Sequence, residues 1–127
     1  LSGRVKLTGY VDDAELAWLY ANCLGFVYPS LYEGFGLPVL EAMSLGAPVI
    51  TSNVSSLPEV AGDAALLFDP TDTEAMAHAM ERLLEDRELR ASMIARGRER
   101  AAGFTWEKSV AATVEVYRAL AAKGAGK

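Results

Sequence analysis

Cysteine is almost absent from this sequence, since Cys23 is the single one among 127 residues. One cysteine cannot form an internal disulfide, and no group of cysteines and histidines has the spacing of a zinc site. A chain of this length can bury roughly two-thirds of the surface that its unfolded form exposes, so it needs neither device to hold a core. The sequence therefore indicates an ordinary globular domain in a reducing compartment.

Long apolar runs and an excess of positive charge are also missing. No stretch reaches the ~18 apolar residues of a membrane span, and the N-terminus lacks the basic start of a signal peptide. The net charge of -5 disfavours nucleic acid, whose binding depends on Lys and Arg. We therefore expect a cytoplasmic protein without nucleic-acid partners. Because the sequence begins at Leu1, we also expect it to be part of a longer protein.

Hydrophobic periodicity predicts alternating strands and helices in the first half of the chain. Apolar runs predict four short strands, at 5–7, 24–28, 47–51 and 65–68. Between them we expect a helix capped by Asp12 or Asp13, a helix that begins near Pro38 and ends at Gly46, and a helical turn at 57–60. This order predicts a parallel α/β sheet with right-handed crossovers.

The second half is predicted to be helical throughout. Thr71 and Glu74 have the spacing of a capping box, before a helix that buries Met76, Met80, Leu83 and Leu84. Helices at about 88–102 and from Trp106 onward follow. We interpret the chain as one domain, 1–127, made of a strand–helix part (1–70), closing helices (71–122) and a frayed tail (123–127).

The loop at 30–36 is the strongest candidate for a binding site. Gly34 and Gly36 allow a tight turn with accessible N–H groups, and the helix that follows points its positive end at the loop, which favours an anion such as phosphate. Glu33 and Glu41 flank this position and suit the hydroxyls of a sugar. On spacing alone a purely structural role is equally well supported, because glycines are common in such turns and Glu favours a helix start.

The full string of residues 33–41, Glu-Gly-Phe-Gly-Leu-Pro-Val-Leu-Glu, resembles the Glu, seven residues, Glu signature of retaining GT-B glycosyltransferases of group one. The resemblance covers about residues 4–122 and follows the C-terminal donor-binding domain of that family. It implies a partial Rossmann-like parallel sheet, truncated at its N-terminal side, with flanking helices and a helical C-terminal region.

The resemblance also implies roles for individual residues. Glu33 would be the catalytic residue that contacts hydroxyls of the transferred sugar, and Glu41 would accept from the ribose hydroxyls. The backbone amides of Gly34, Phe35, Gly36 and Leu37 would hold the sugar and the diphosphate, while Tyr10 and Val11 would lie near the base. No cofactor and no metal are expected for donor binding.

The function implied is that of a donor-binding segment which helps to move a hexose from a nucleotide sugar to an acceptor hydroxyl. The acceptor domain and the cationic residues of the family would precede this chain, so we expect the isolated chain to be inactive. A non-catalytic nucleotide-sugar or phosphate-binding module is the alternative, and a fragment of a nucleotide-sugar epimerase is a weaker one. Acceptors in the family are often lipid-linked, so a peripheral place on the inner face of the membrane is also considered.

Three further features are assigned structural roles. His78 has charged neighbours at helical spacing and is expected on a solvated face, while Ser55 and Ser56 with Glu59 resemble a helix cap. The arginines at 90, 96, 98 and 100 are interpreted as a solvated face rather than a lipid contact.

Without its neighbouring strands, the strand at 24–28 would have a bare edge, so we expect a homo-oligomer of the isolated chain.

Overall fold

A computed structural model describes residues 3–124 as a small parallel sheet surrounded by helices. The elements in chain order are α1 (Asp13–Asn22), β1 (Phe26–Tyr28), α2 (Leu37–Ser44), β2 (Val49–Ser52), α3 (Leu57–Ala61), β3 (Ala65–Phe68), α4 (Thr73–Glu85), α5 (Arg87–Ala102) and α6 (Trp106–Gly124). The strands lie in the order β1-β2-β3. The predicted α/β class with a parallel sheet is confirmed.

The register of the sheet sets which ends of the strands meet. Phe26 pairs with Val49 and Tyr28 with Thr51, while Ser52 of the same central strand pairs with Phe68 of β3. Because all three strands run in parallel, their carboxyl ends lie at one edge. The segments that follow β1 and β2 are therefore neighbours.

The core forms two clusters, one on each side of the sheet. The first combines α2, α3 and one face of β2, and it buries Tyr20, Val39, Ala42, Met43, Ala47, Val49, Leu57, Val60, Ala61 and Ala64. The second combines the other face of the sheet with α4 and α5, and it buries Ile50, Phe68, Ala79, Leu83 and Met93. Gly97 brings α5 close to α2, since a Cβ there would lie 3.3 Å from Cγ of Met43.

Arginines of α5 lie at the C-terminal ends of other helices. Arg90 donates to the carbonyls of Leu83 and Leu84 near the end of α4, and Arg100 donates to those of Glu59 and Val60 in α3. Cations are favourable at helix C-termini, where carbonyl groups lack intrahelical donors. At these positions the basic stretch is therefore part of the packing, rather than only a solvated face as predicted.

The predicted strand at 5–7 is wrong. Residues 5–8 have no regular secondary structure, and Leu7 is 93% exposed. Alternating side chains make a strand only when a neighbour pairs with its backbone, and the described residues provide no such neighbour. The next strand is also shorter than predicted, since β1 begins at Phe26 and Leu24 is exposed.

Helix starts agree with the sequence in one case and differ in another. Asp12 caps α1 in a capping box with Glu15, as one of the two predicted caps. The predicted capping box of Thr71 and Glu74 is wrong, because Asp72 caps α4 by accepting from the N–H of Ala75. Thr71 lies one residue before this N-cap position, and its hydroxyl donates to the Asp69 carboxylate at 2.6 Å.

Side chains of the C-terminal helices are more exposed than the periodicity predicts. Met80 and Leu84 of α4 are exposed although both were expected in its buried stripe. α6 presents apolar side chains to solvent along its length, among them Trp106, Val110, Val116, Tyr117 and Leu120. α6 extends through Lys123 and Gly124, and the rest of the predicted tail, 125–127, lies outside the described residues. Among the described helices, none is long and apolar enough to cross a membrane.

The packing of α2 predicts how two methionines differ. Met43 is 1% exposed at the contact of α2 with α5, whereas Met80 is 41% exposed. Met43→Ala should lower the free energy of unfolding by about 2–5 kcal/mol through lost burial and a cavity. Met80→Ala, the matched control, should change it by about 0.5 kcal/mol or less. Urea denaturation followed by circular dichroism measures both values, and equal losses would contradict this packing.

Candidate functional site

The loop between β1 and α2 contains most of the predicted site residues. It leaves the sheet after Tyr28 and enters α2 at Leu37, at the edge where the carboxyl ends of the strands meet. The segment at 53–56, which follows β2, lies beside it. Ligands of open parallel sheets bind at this edge.

Two hydroxyl groups hold the carboxylate of Glu33. The phenol of Tyr28 donates to Oε1 of Glu33 at 2.5 Å, and the hydroxyl of Ser30 donates to the same oxygen at 2.9 Å. Within residues 3–124, no protein donor reaches the other oxygen, Oε2. The half-buried carboxylate is thus held in place through one oxygen, and the second oxygen can accept from a ligand.

These hydrogen bonds also set the ionisation of both partners. The bond from Tyr28, and then that from Ser30, stabilises the carboxylate and lowers the pKa of Glu33 below its usual value. The same bond, with burial and the charge of Glu33, raises the pKa of Tyr28 to about 12. At neutral pH Glu33 is therefore an anion and Tyr28 a neutral donor.

The start of α2 leaves backbone N–H groups available. Gly36 is the N-cap residue, with a left-handed φ of 102°, and it has no side chain to cap the helix. In the part of the chain that the structure describes, the amides of residues 34–37 donate to no protein acceptor. Pro38 follows in the first turn and has no N–H group. Four consecutive amides at the positive end of a helix form an arrangement that suits an anion.

Gly36 is required at this position for two reasons. Its positive φ is unfavourable for other residues, and a Cβ would lie 2.7 Å from Cδ2 of Leu57, the first residue of α3. On the exposed side of the loop, the ring of Phe35 meets that of Phe104 edge to face at 5.9 Å. Arg100 lies over Phe104 at 5.0 Å, so the loop also contacts the end of α5.

Ser55 and Ser56 hold the loop from the side of α3. The hydroxyl of Ser55 accepts from the N–H of Glu33 at 3.1 Å. The hydroxyl of Ser56 lies 3.0 Å from the carbonyl of Glu33 and 2.8 Å from that of Phe35, and it shares its one proton between these two acceptors. Ser56 does stand at the N-cap position of α3, but its side chain makes no capping hydrogen bond. The predicted cap is therefore wrong, because the hydroxyl bonds to the neighbouring loop instead.

Glu41 lies on α2, one turn beyond Leu37, and its side chain is exposed. Its charge raises the pKa of the buried Tyr20, although burial of the phenol is the larger cause. The amides of residues 34–37 thus lie at the start of α2, and the carboxylate of Glu41 lies one turn further along the same helix.

Tyr10 and Val11 lie apart from this loop, in the segment before α1. Both line an open groove of about 520 Å³, together with Lys6, Leu7, Thr8, Ala14, Glu15, Trp18 and Leu19. Tyr10 is 92% exposed. None of the residues from 33 to 41 lines this groove, so the structure brings together the loop and α2 but leaves these two residues in a separate cavity.

The remaining candidates have structural surroundings. His78 is exposed on α4, as expected of a solvated face. Cys23 is half-buried after α1, and burial raises the pKa of its thiol, which disfavours the reactive thiolate.

Tyr28, Ser30, Ser55 and Ser56 are the residues of the site that sequence reasoning missed as a group. Their signal is positional, since two of them flank the end of β1 and two follow β2. In a parallel sheet these segments share an edge, so neighbouring hydroxyl groups there could have been predicted to contact the loop.

Comparison with known proteins connects this geometry to a family. Residues 1–100 match the family described as "Glycosyl transferases group 1". Sucrose-phosphate synthase from Thermosynechococcus elongatus has a similar structure, with a TM-score of 0.82 and 37% identity over 96% of this chain and 31% of that one.

Curated relatives are similar over nearly the whole chain. O-antigen chain mannosyltransferase B of Escherichia coli is 49% identical over 118 residues, which are 93% of this chain and 31% of the relative. MMP alpha-(1->4)-mannosyltransferase of Mycolicibacterium hassiacum is 40% identical over 97% of this chain and 31% of the relative. The chain thus spans about a third of the length of these two relatives.

The hydrogen bonds from Tyr28 and Ser30 to Glu33 predict that removing either donor raises the pKa of Glu33, and that the two increases differ in size. Tyr28→Phe should raise the pKa of Glu33 toward its ordinary value, and Ser30→Ala should raise it less, since the phenol is the larger cause. Tyr32→Phe, an exposed tyrosine in the same loop, is the control and should leave this pKa unchanged. NMR of the labelled carboxyl carbon measures each value.

The sign of the linked stability follows from the lowered pKa. The interaction stabilises the fold above the pKa of an unfolded glutamate, and this contribution is lost as the pH falls through the lower pKa of the folded state. An unchanged Glu33 pKa in Tyr28→Phe would contradict the claim that the hydrogen bond from Tyr28 stabilises the carboxylate.

Proposed function

Because this chain belongs to the group 1 glycosyltransferases, we propose that it is the donor-binding segment of a retaining enzyme that transfers mannose from a nucleoside diphosphate to an acceptor hydroxyl. The observation that carries the proposal is the juxtaposition in one loop of a held carboxylate and four available amides. A carboxylate suits the hydroxyls of a sugar, and amides at a helix start suit a diphosphate. A nucleoside diphosphate sugar carries both kinds of group next to each other.

The diphosphate would bind at the amides of residues 34–37. The start of α2 sets the direction of the last of these amides, that of Leu37, and Gly36 is the N-cap residue of this helix. During transfer the bond between the anomeric carbon and the leaving phosphate oxygen breaks, and negative charge grows on that phosphate. Amides already aimed at it, together with the positive end of α2, would stabilise this charge without reorganisation.

Glu33 would orient the moving sugar through Oε2. Its other oxygen is held by Tyr28 and Ser30, so the carboxylate cannot turn away from a bound hydroxyl without losing two hydrogen bonds. Holding the sugar in one orientation lowers the entropic part of the barrier. In a retaining transfer, the acceptor hydroxyl approaches the face that the diphosphate leaves. Its oxygen bonds to the anomeric carbon, and its proton passes to the departing phosphate oxygen.

Glu41 and the groove before α1 would hold the rest of the nucleotide. The exposed carboxylate of Glu41 would accept from the two ribose hydroxyls. The groove that contains Tyr10 and Val11 presents apolar and aromatic surface, including Trp18, which suits a base.

Mannose is proposed on the basis of the relatives. The relatives from Escherichia coli and Mycolicibacterium hassiacum described above are both named mannosyltransferases. This chain is similar to them through the whole of the candidate site.

Two glutamine variants test the proposal in the longest protein that contains this segment. Glu41→Gln should weaken donor binding by about 1 to 3 kcal/mol, the range for a hydrogen bond lost from a charged group. Glu33→Gln should mainly lower kcat, because its contact is to the sugar that moves. Glu81→Gln, an exposed glutamate on α4, is the control and should behave as the unaltered protein.

Steady-state kinetics with GDP-mannose, UDP-glucose and ADP-glucose measure both effects and identify the base and sugar. Full activity of both Glu33→Gln and Glu41→Gln would contradict the proposed roles.

A further inference from the structure

We infer that Ser56 is a positioning residue that aims two amides of the loop, Gly34 and Gly36, at the ligand side. The inference deepens the proposed function and rests on it for the identity of the ligand. Its basis is the position of the Ser56 hydroxyl, which shares its one proton between the carbonyls of Glu33 and Phe35 in a bifurcated hydrogen bond. This bond joins residues more than 20 positions apart in the sequence.

A hydrogen bond that holds the carbonyl of a peptide unit also fixes the direction of the N–H group in the same unit. A trans peptide is planar, so its C=O and the following N–H point in opposite directions. The chain has no cis peptide among its described residues. When Ser56 draws the carbonyls of Glu33 and Phe35 toward α3, the N–H groups of Gly34 and Gly36 must point away from α3. One hydroxyl thus sets the direction of two of the four available amides.

Ser55 completes the arrangement on the other side of Glu33. Its hydroxyl accepts from the N–H of Glu33, so the peptide units before and after Glu33 are both held by adjacent serines. Ser55 adopts a positive φ of 51°, the one non-glycine residue in the described chain that does so. This strained conformation places two successive hydroxyl groups against one loop.

The loop needs such support because glycine is flexible. Gly34 lies in open space, where even an added Cβ would meet no atom within 4 Å. Glycine has no Cβ, so no side chain of its own narrows the backbone conformations of this residue. The hydroxyl of Ser56 therefore supplies a restriction that the loop residues cannot supply themselves.

The first test needs no ligand. In Ser56→Ala, the ¹⁵N order parameters of Gly34 and Gly36 should fall from near 0.85, typical of rigid backbone, toward about 0.6. Ser56→Thr keeps the hydroxyl and should restore the higher values. Ser92→Ala, an exposed serine on α5, is the matched control and should leave the loop unchanged. Order parameters in Ser56→Ala equal to those of the unaltered chain would overturn the inference.

The second test separates positioning from general destabilisation. The ligand for this test is whichever of GDP-mannose, UDP-glucose and ADP-glucose gives the highest kcat/KM. Calorimetry should show that Ser56→Ala binds it about five- to tenfold more weakly. The nucleoside of the same base, which lacks the diphosphate and the transferred sugar, should bind within about twofold of its affinity for the unaltered chain. Equal weakening of both ligands would overturn the inference, because a structural defect would affect them alike.

Failure of the proposed function has a different signature. If the unaltered chain binds no nucleoside diphosphate sugar while Ser56→Ala still loosens the loop, the ligand assignment is wrong and the control of the amides by Ser56 stands. Ser55→Gly provides an independent variant, because glycine tolerates the positive φ while the hydroxymethyl group that contacts the loop is removed. It should loosen the loop at Glu33 and Gly34, and an unchanged loop there would count against the serine pair.

Discussion

The parallel pairing of β1 with β2 is the constraint on which the site depends. It brings the carboxyl ends of both strands to one edge, so that residues more than 20 positions apart in sequence become neighbours. The loop after β1 provides a carboxylate and a row of amides, and the segment after β2 provides the two hydroxyl groups that hold the loop. Burial of Val49 and Ile50 on opposite faces of β2 stabilises this pairing from both clusters of the core. The chemistry of the site is thus a consequence of packing in the sheet.

Two kinds of polar contact hold the loop, one to the side chain of Glu33 and one to backbone carbonyls. Side-chain hydroxyls hold Glu33 through one oxygen, which lowers its pKa and keeps the other oxygen available. Backbone carbonyls are drawn toward α3, which leaves the amides pointing outward. Both arrangements are fixed before any ligand arrives, and preorganised donors stabilise developing charge more effectively than donors that must first turn. A contact of Phe35 with Phe104 extends this support to the end of α5.

Much of this fold could be predicted from local pattern. β3 has the predicted bounds, and α2 begins at Leu37, beside Pro38, and ends before Gly46, because Pro and Gly act on the backbone where they stand. The prediction of a strand at 5–7 was wrong because the alternation of apolar and polar residues shows only which side chains would share a face. It does not show whether another strand is present to pair with the backbone. The capping box predicted at Thr71 is wrong because Thr71 and Asp72 are adjacent residues that are both able to cap, and α4 begins after the second of them. The roles of Ser55 and Ser56 could not be predicted from spacing, because they depend on contacts across the sheet edge.

The most direct measurement is a crystal structure of this chain, or of a longer protein containing it, with the one of GDP-mannose, UDP-glucose and ADP-glucose that it uses best. We expect diphosphate oxygens within hydrogen-bond distance of at least two of the amides of residues 34–37, with a sugar hydroxyl on Oε2 of Glu33. A nucleotide sugar bound elsewhere while this loop is empty, or a sugar that contacts neither the amides nor Glu33, would contradict it.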